Sequence, residues 1–432
     1  MNGVKFMIFK IKNFGKITEA NIKLDGITVI CGDNNTGKST VGKALFGFFN
    51  SLYDLNNKIV ENKISKVRNF LFSYAYSFTN IYSFVSKVGL EEIIKTDKIT
   101  VDALKNIIDN NISFNKNDIK VTKESLKPLV ESLNAPVSDI INEVILRNFD
   151  NIMNGQIKNV NNKTAQCVAI AEFSEGINGV SFTQSSCRSS LSVPIQHKAY
   201  YINSPFVLDW INNPSYHRLS ELLNLMEKSV INDVIDAEAK IKNNPMENIF
   251  DAVNNKENLK DILDVLKKAL DGNITLSNGL YSYKDKNGSF DIRNISAGLK
   301  SFALIERMLA TGVLKKKDVL ILDEPEIHLH SEWQIIYAEL IVILQKTFDL
   351  TILLVTHSSQ FLESLIYYME KYAIADKGNY YIPVQNEKGV TIVDRTDNLI
   401  RMKKSLKSGL YTLANKKLEE LTSGDSDEED NE

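Results

Sequence analysis

The sequence predicts an α/β fold: a parallel core sheet carrying a glycine-rich loop, with a β-rich N-terminal lobe and helical insertions. Three observations predict it. "GDNNTGKST", Gly32 to Thr40, sits between a short apolar run and a helix-like one. "DVLILDE" and "LTILLVTHSS" are apolar runs that end in polar residues, the pattern of strands buried on both faces. Elsewhere apolar residues recur at 3- and 4-residue spacing, as in Leu219, Leu222, Leu223, Met226, Val230 and Val234, the mark of amphipathic helices.

Residues 4–12, 17–24 and 27–31 read as strands, because "FGK" and "DG" supply the turns between β-type runs. "STVGKALFGFF" follows the glycine loop as a helix, so residues 1–50 open the core. Residues 51–166 are rich in Asn, Lys and Ile with helical spacing and form a helical insertion, or lid. Residues 167–210 return to strand patterning as a further β-rich part of the lobe. A helical arm over 211–272 holds the leucine-rich helix above and another from Leu259 to Leu270. The core resumes over 273–400, with short strands near 274–292, the two buried strands, a helix over 332–348 and a hairpin in "YYIPVQNEKGVTIV". A Lys-rich helix over 401–418 and an acidic, disordered tail over 419–432 follow.

Hydrophobic residues make up 43% of the 432, enough to bury a real core and too many for a disordered chain. The tail holds eight acids and no base, so the rest carries +5 against a whole-chain charge of −3. That mildly basic body is compatible with nucleic-acid contact without demanding it. Cys31, Cys167 and Cys187 show no paired or metal-type spacing, which fits small buried hydrophobes in a reducing compartment. No apolar stretch approaches the ~20 residues that span a bilayer. These features predict a cytoplasmic protein with no membrane contact.

Gly32, Gly37, Lys38 and Ser39 match G-x-x-x-x-G-K-[ST] in a strand–loop–helix setting. Backbone N–H groups of Gly32, Asn34, Asn35, Thr36, Gly37 and Thr40 would cradle phosphate at a helix N-terminus. Lys38 reaches the β/γ oxygens of ATP, and Ser39 suits Mg²⁺. Asp323 closes "VLILD" at the carboxyl end of a buried strand, where ligands collect, and makes the second Mg²⁺ ligand. Glu324 follows at once, an acid placed to polarise water. His357, after the second buried strand, can hydrogen-bond a γ-phosphate or that water. Ser296, in "SAGLKSF", opens a helix and can donate to a phosphate.

"IKNFGKITEANIKLDGITVICGDNNTGKST", "ISAGLKSF", "VLILDEPEIHLH" and "LLVTHSS", in this order, resemble the ABC-type P-loop ATPases of the RecF, SMC and OLD group. The likeness is nearest to stand-alone ATPases of bacterial anti-phage systems of the Septu, PARIS and retron-associated types. The resemblance implies ATP sandwiched between two protomers, with the loop of one facing the signature Ser296, Gly298 and Lys300 of the other. It implies Glu324 as catalytic base, Asp323 on Mg²⁺ and His357 sensing the γ-phosphate. Ser331 stands where the group often has proline. His328 and His330 are expected at the interface between copies, and "YINSPF" around Ser204 stands near a glutamine-loop position with no glutamine.

OLD-type enzymes carry a Toprim nuclease after the ATPase, whereas 75 residues follow His357 here, without a glutamate strand and D-x-D strand. The expectation is an ATPase without nuclease activity of its own, a homodimer or higher oligomer that regulates a separate HNH or Toprim effector in defence. The alternative is a RecF-like repair clamp on duplex DNA. With 43 Lys to 8 Arg, such contact would be sequence-nonspecific.

Overall fold

In the computed structural model the described residues are 7–73, 94, 98–111, 121–162, 164–183, 186–211, 213, 215–243, 260–270, 272–277 and 280–399. The expected helix over 401–418 and the acidic tail lie outside them. Eleven strands form one sheet. They are β1 (Met7–Phe14), β2 (Ile17–Leu24), β3 (Ile27–Cys31), β4 (Cys167–Phe173), β5 (Gly176–Phe182), β6 (Cys187–Ser190), β7 (Ala199–Ile202), β11 (Val319–Asp323), β12 (Thr351–Thr356), β13 (Gly378–Asn386) and β14 (Gly389–Asp394). Strands β8 (Asn273–Ser277), β9 (Leu280–Asp285) and β10 (Gly288–Asp291) make a separate antiparallel meander.

The large sheet runs β6-β5-β4-β1-β2-β14-β13-β3-β12-β11-β7. From β13 to β7 every neighbour is parallel. From β6 to β2 every neighbour is antiparallel. The β13–β14 hairpin joins the two halves, since β13 pairs with β3 and β14 with β2. The β-rich lobe is therefore continuous with the core sheet. Within the stretch 167–210, β4 to β6 extend the antiparallel wing, while β7 lies at the far end as the edge of the parallel half.

Residue choice follows this division. All of β3 is buried, and so are β11 except Asp323 and β12 except Thr351, because helices cover both faces. In β1 and β4 buried and less buried residues mostly alternate. On one face of the parallel half, helix α1 (Lys38–Leu52) packs with Ile30, Tyr201, Val319, Ile321 and Leu353. Helix α5 (Val137–Ile152) joins this core through Ile145, Phe149 and Ile152, with the Phe149 ring 4.7 Å from that of Phe182. Each such side chain contributes about 1.5–3 kcal/mol through burial.

The opposite face carries α7 (Ala297–Ala310), α8 (Ser331–Phe348) and α9 (Ser359–Lys371), packed on Val29, Cys31, Leu320, Leu322 and Leu354. Helix α6 (Leu225–Asn243) lies against edge strand β7. The leucine-rich periodicity predicts this helix from Leu219, but it begins at Leu225. Asn224 Oδ1 accepts the Glu227 N–H at 2.9 Å and Glu227 reaches back to the Asn224 N–H, a capping box that sets the start. Residues 260–269 are helical.

Within 51–166 the helices serve two cores. Helices α2 (Leu55–Phe72), α3 (Val101–Asn111) and α4 (Lys123–Leu133) bury Val67, Leu71, Leu104, Ile108, Leu126 and Leu133 in a third cluster of their own. The cysteines are free and buried, and burial pushes the Cys31 and Cys187 thiols up to about 12.

Candidate functional site

Strands β3, β11 and β12 end at one edge, with Cys31 opposite Thr356 and Asp323 opposite Val355. This is the edge at which parallel α/β sheets bind ligands. The loop Gly32–Gly37 turns there into α1. Gly37 has φ +83°, and a Cβ on it would lie 2.9 Å from the Ile17 side chain, so the turn requires glycine. Asn35 also sits at positive φ, held by Lys16, which donates to its side chain and its carbonyl. Thr36 Oγ1 donates to the Asp33 carbonyl at 2.8 Å, and the Thr40 N–H to that of Gly37 at 3.0 Å. Asn34 is exposed.

Lys38 is 4% exposed, and its ammonium donates to the carbonyls of Gly32 and Asp33 at 2.8 and 2.7 Å. Burial holds its pKa below the usual lysine range, while Glu324 and Asp323 pull it back. Both of its hydrogen bonds go to neutral carbonyls, which hold the ammonium at the loop where a phosphate would sit.

Alternation along the strands decides which carboxylate meets α1. Asp323 shares parity with Val319 and Ile321, which face α1, so its side chain points to the helix start. There Ser39 Oγ donates to its Oδ1 at 3.0 Å, and the Tyr201 hydroxyl to its Oδ2. Burial raises the Asp323 pKa, and these two bonds offset part of the rise. A hydroxyl and a carboxylate oxygen beside a phosphate loop fit Mg²⁺, a cation that takes hard oxygens and phosphate together. Among the described residues no group of three or more His, Cys, Asp or Glu side chains stands together as a metal site.

Glu324 is left-handed at φ +51°, a conformation a glutamate adopts only under constraint. Its N–H donates to the Val355 carbonyl at 2.8 Å, which anchors the turn to β12. Its carboxylate lies 3.6 Å from His357 Nδ1. The imidazole stands 3.7 Å from a second carboxylate, that of buried Glu326.

The signature residues lie elsewhere. Helix α7 belongs to the face opposite α1, and Ser296 caps it by accepting the Leu299 N–H at 3.3 Å. A Cβ on Gly298 would meet the Trp333 ring at 2.9 Å and the His328 carbonyl at 3.0 Å. The His328 ring in turn lies edge-on to Phe206, 5.6 Å between centroids. Lys300 is 2% exposed and pairs within its own chain, at 2.7 and 2.8 Å from the two oxygens of Asp209. Its ammonium therefore anchors α7 to the Pro205–Asp209 turn, which Ser204 caps. Ser296 lies at the exposed start of that anchored helix.

Sequence reasoning missed Tyr201. It comes from β7, whose pairing with β11 spans more than a hundred residues. A signal was present, since a tyrosine inside the buried run "AYYI" needs a partner for its hydroxyl.

A phosphate loop, a hydroxyl–carboxylate pair and a strand-end glutamate at the edge of the parallel half of the sheet define a P-loop ATPase. The family model described as the AAA ATPase domain matches residues 7–362, and the chain belongs to that family. Similar solved structures include the SMC head domain from Thermotoga maritima (11% identity, 90% of this chain and 98% of that one, TM-score 0.39). Another is an SmcHead bound to the C-winged helix domain of ScpA (12%, 90% and 97%, TM-score 0.43). A third is an Smc head with an extended coiled coil bound to the C-terminal domain of ScpA, derived from Pyrococcus furiosus (11%, 93% and 99%, TM-score 0.40). No curated protein matched the chain. No helix among the described residues is long and apolar enough to cross a membrane.

Proposed function

We propose that this ATPase is the regulatory, sensing subunit of a bacterial anti-phage defence system. It assembles with itself, closes on ATP between two copies, and controls a separate effector nuclease of the HNH or Toprim type. One observation supports the assembly: α1, with its phosphate loop, packs on one face of the sheet, whereas Ser296 is the exposed start of α7 on the opposite face. Ser296 therefore serves a partner's nucleotide, with Gly298 and the Lys300–Asp209 pair holding its helix in place.

In the closed state Lys38 and the loop amides hold the phosphates of ATP. Ser39 and Asp323 are the residues that would hold Mg²⁺, which would supply positive charge to offset that of the phosphates. Glu324 takes the proton of the attacking water, and His357 donates to the γ-phosphate. Products are ADP and phosphate, and their loss reopens the assembly. The switch is the binding difference between the two states.

The test is the mass of Glu324→Gln by light scattering, with and without ATP·Mg²⁺. ATP-driven or ATP-locked assembly supports the proposal, and a monomer in every condition overturns it. Nuclease activity in the purified chain, abolished by mutating its own acids, would overturn the separate effector. Tight, salt-sensitive binding to plain duplex DNA would favour a repair clamp instead.

A further inference from the structure

We propose that Glu326 is a positioning residue of the hydrolytic centre, fixing the turn that presents His357 beside Glu324. This rests on the hydrolytic reading of Glu324 and His357. Strands β11 and β12 stay in register as far as Asp323 and Val355, and the Glu324 N–H makes one more bond to β12. Beyond it one chain turns through residues 324–330 and the other into α9, so no strand pairing sets His357 relative to Glu324.

Glu326 spans that gap. Its Oε1 accepts both the Thr356 hydroxyl and the His357 N–H, the latter at 3.2 Å. The same oxygen lies 3.7 Å from His357 Nδ1, while Glu324 stands 3.6 Å from that nitrogen on the other carboxylate. The imidazole is thus bracketed by two carboxylates on its Nδ1 side, which leaves Nε2 to meet phosphate.

The burial makes a space-filling role a poor explanation. Glu326 is 3% exposed, and its Oε2 has no hydrogen-bond partner among the described residues. An unsatisfied buried acceptor is destabilising, a penalty that a leucine of similar volume would avoid. A carboxylate earns its place here through the two bonds at Oε1. The Ser358–Gln334 hydrogen bond ties the same turn to α8 further along, at 3.1 Å, and touches neither Glu324 nor the ring.

The experiment uses the full chain. Wild type, Glu324→Gln and His357→Ala first establish hydrolysis and its loss. If Glu324→Gln and His357→Ala both turn over ATP like wild type, the hydrolytic reading itself fails. With that reading standing, Glu326→Ala is expected to lower kcat by on the order of 30- to 100-fold, with KM and the affinity for a fluorescent ATP analogue little changed. Glu326→Gln keeps an oxygen for both bonds and should recover to within about threefold of wild type. In a His357→Ala background, Glu326→Ala should cost nothing further. Additive losses, or a Gln variant as impaired as the Ala variant, would overturn the proposal. So would a fall in nucleotide affinity that accounts for the whole loss. If Glu326→Ala does not fold, Thr356→Val removes half the anchor. Its smaller loss must likewise vanish without His357, or the proposal is wrong.

Discussion

The parallel strand ends and the α2–α4 helices are two cores of one chain, built to different rules. β3, β11 and β12 are buried on both faces almost throughout and lead at their ends into Gly32, Asp323–Glu324 and His357. The α2–α4 cluster buries one stripe of each helix and leaves its Asn and Lys outside. All the reacting groups identified belong to the first region. Two-sided burial fixes a strand end to within a residue, which a phosphate site needs. One-sided burial fixes a face and tolerates sliding.

Four substitutions test that contrast. The largest effect belongs to Glu324→Gln, which should slow phosphate release by roughly 10²–10⁴-fold, the usual contribution of a general base. A fluorescent nucleotide should bind it as it binds wild type. Leu104→Ala, at a fully buried site in the α2–α4 core, should cost about 2–5 kcal/mol of local stability by urea denaturation or hydrogen exchange. Hydrolysis should be untouched. A parallel loss of activity would show that the two cores are not independent.

Asp318 lies just before β11, away from the nucleotide edge, and accepts N–H bonds from Lys315 and Lys198 at 2.9 and 3.1 Å. Burial nevertheless pushes its carboxyl from 3.8 up to about 6. Because the folded state holds the proton more tightly, this group adds stability below the unfolded pKa and loses it as pH rises through about 6. Wild type should therefore gain on Asp318→Asn by roughly 2–3 kcal/mol as pH falls from 7 to 4, read from urea midpoints at each pH. A gap that stays constant with pH would mean Asp318 is not held in this way. Smallest is Tyr201→Phe, which strips one bond from Asp323 and should weaken ATP·Mg²⁺ binding by about 1 kcal/mol, roughly fivefold.

The same contrast explains what could be read from the residues alone. The shared strand-end edge of the phosphate loop, Asp323, Glu324 and His357 was legible because each follows a short apolar run that reads as a buried strand. The β13–β14 hairpin was legible from its turn. Its place in the middle of the sheet was not, since strand order is a long-range property. Tyr201 was hidden for that reason, because only the β7–β11 pairing brings its hydroxyl to Asp323. The stretch 51–166 read as one insertion, yet α5 belongs to the main core through Phe149 while α2–α4 stand apart. Helical periodicity says that a face is buried, and nothing of what buries it. The resemblance implies that Lys300 faces the other copy, whereas Asp209, 91 residues earlier, pairs with its charge within the chain.

The hairpin's position also bears on how the protein is made. The phosphate-loop strand β3 is among the first segments to leave the ribosome, but its partners β12 and β13 are among the last of the described ones. Until they arrive, β3 exposes two bare edges of a mostly apolar strand, a template for pairing with another chain. The antiparallel wing and the α2–α4 helices can form early, but the nucleotide site cannot. Synthesis that stops before Asp394 should yield a chain that aggregates and binds no ATP, so competence is reached only when nearly all of the sheet has been made.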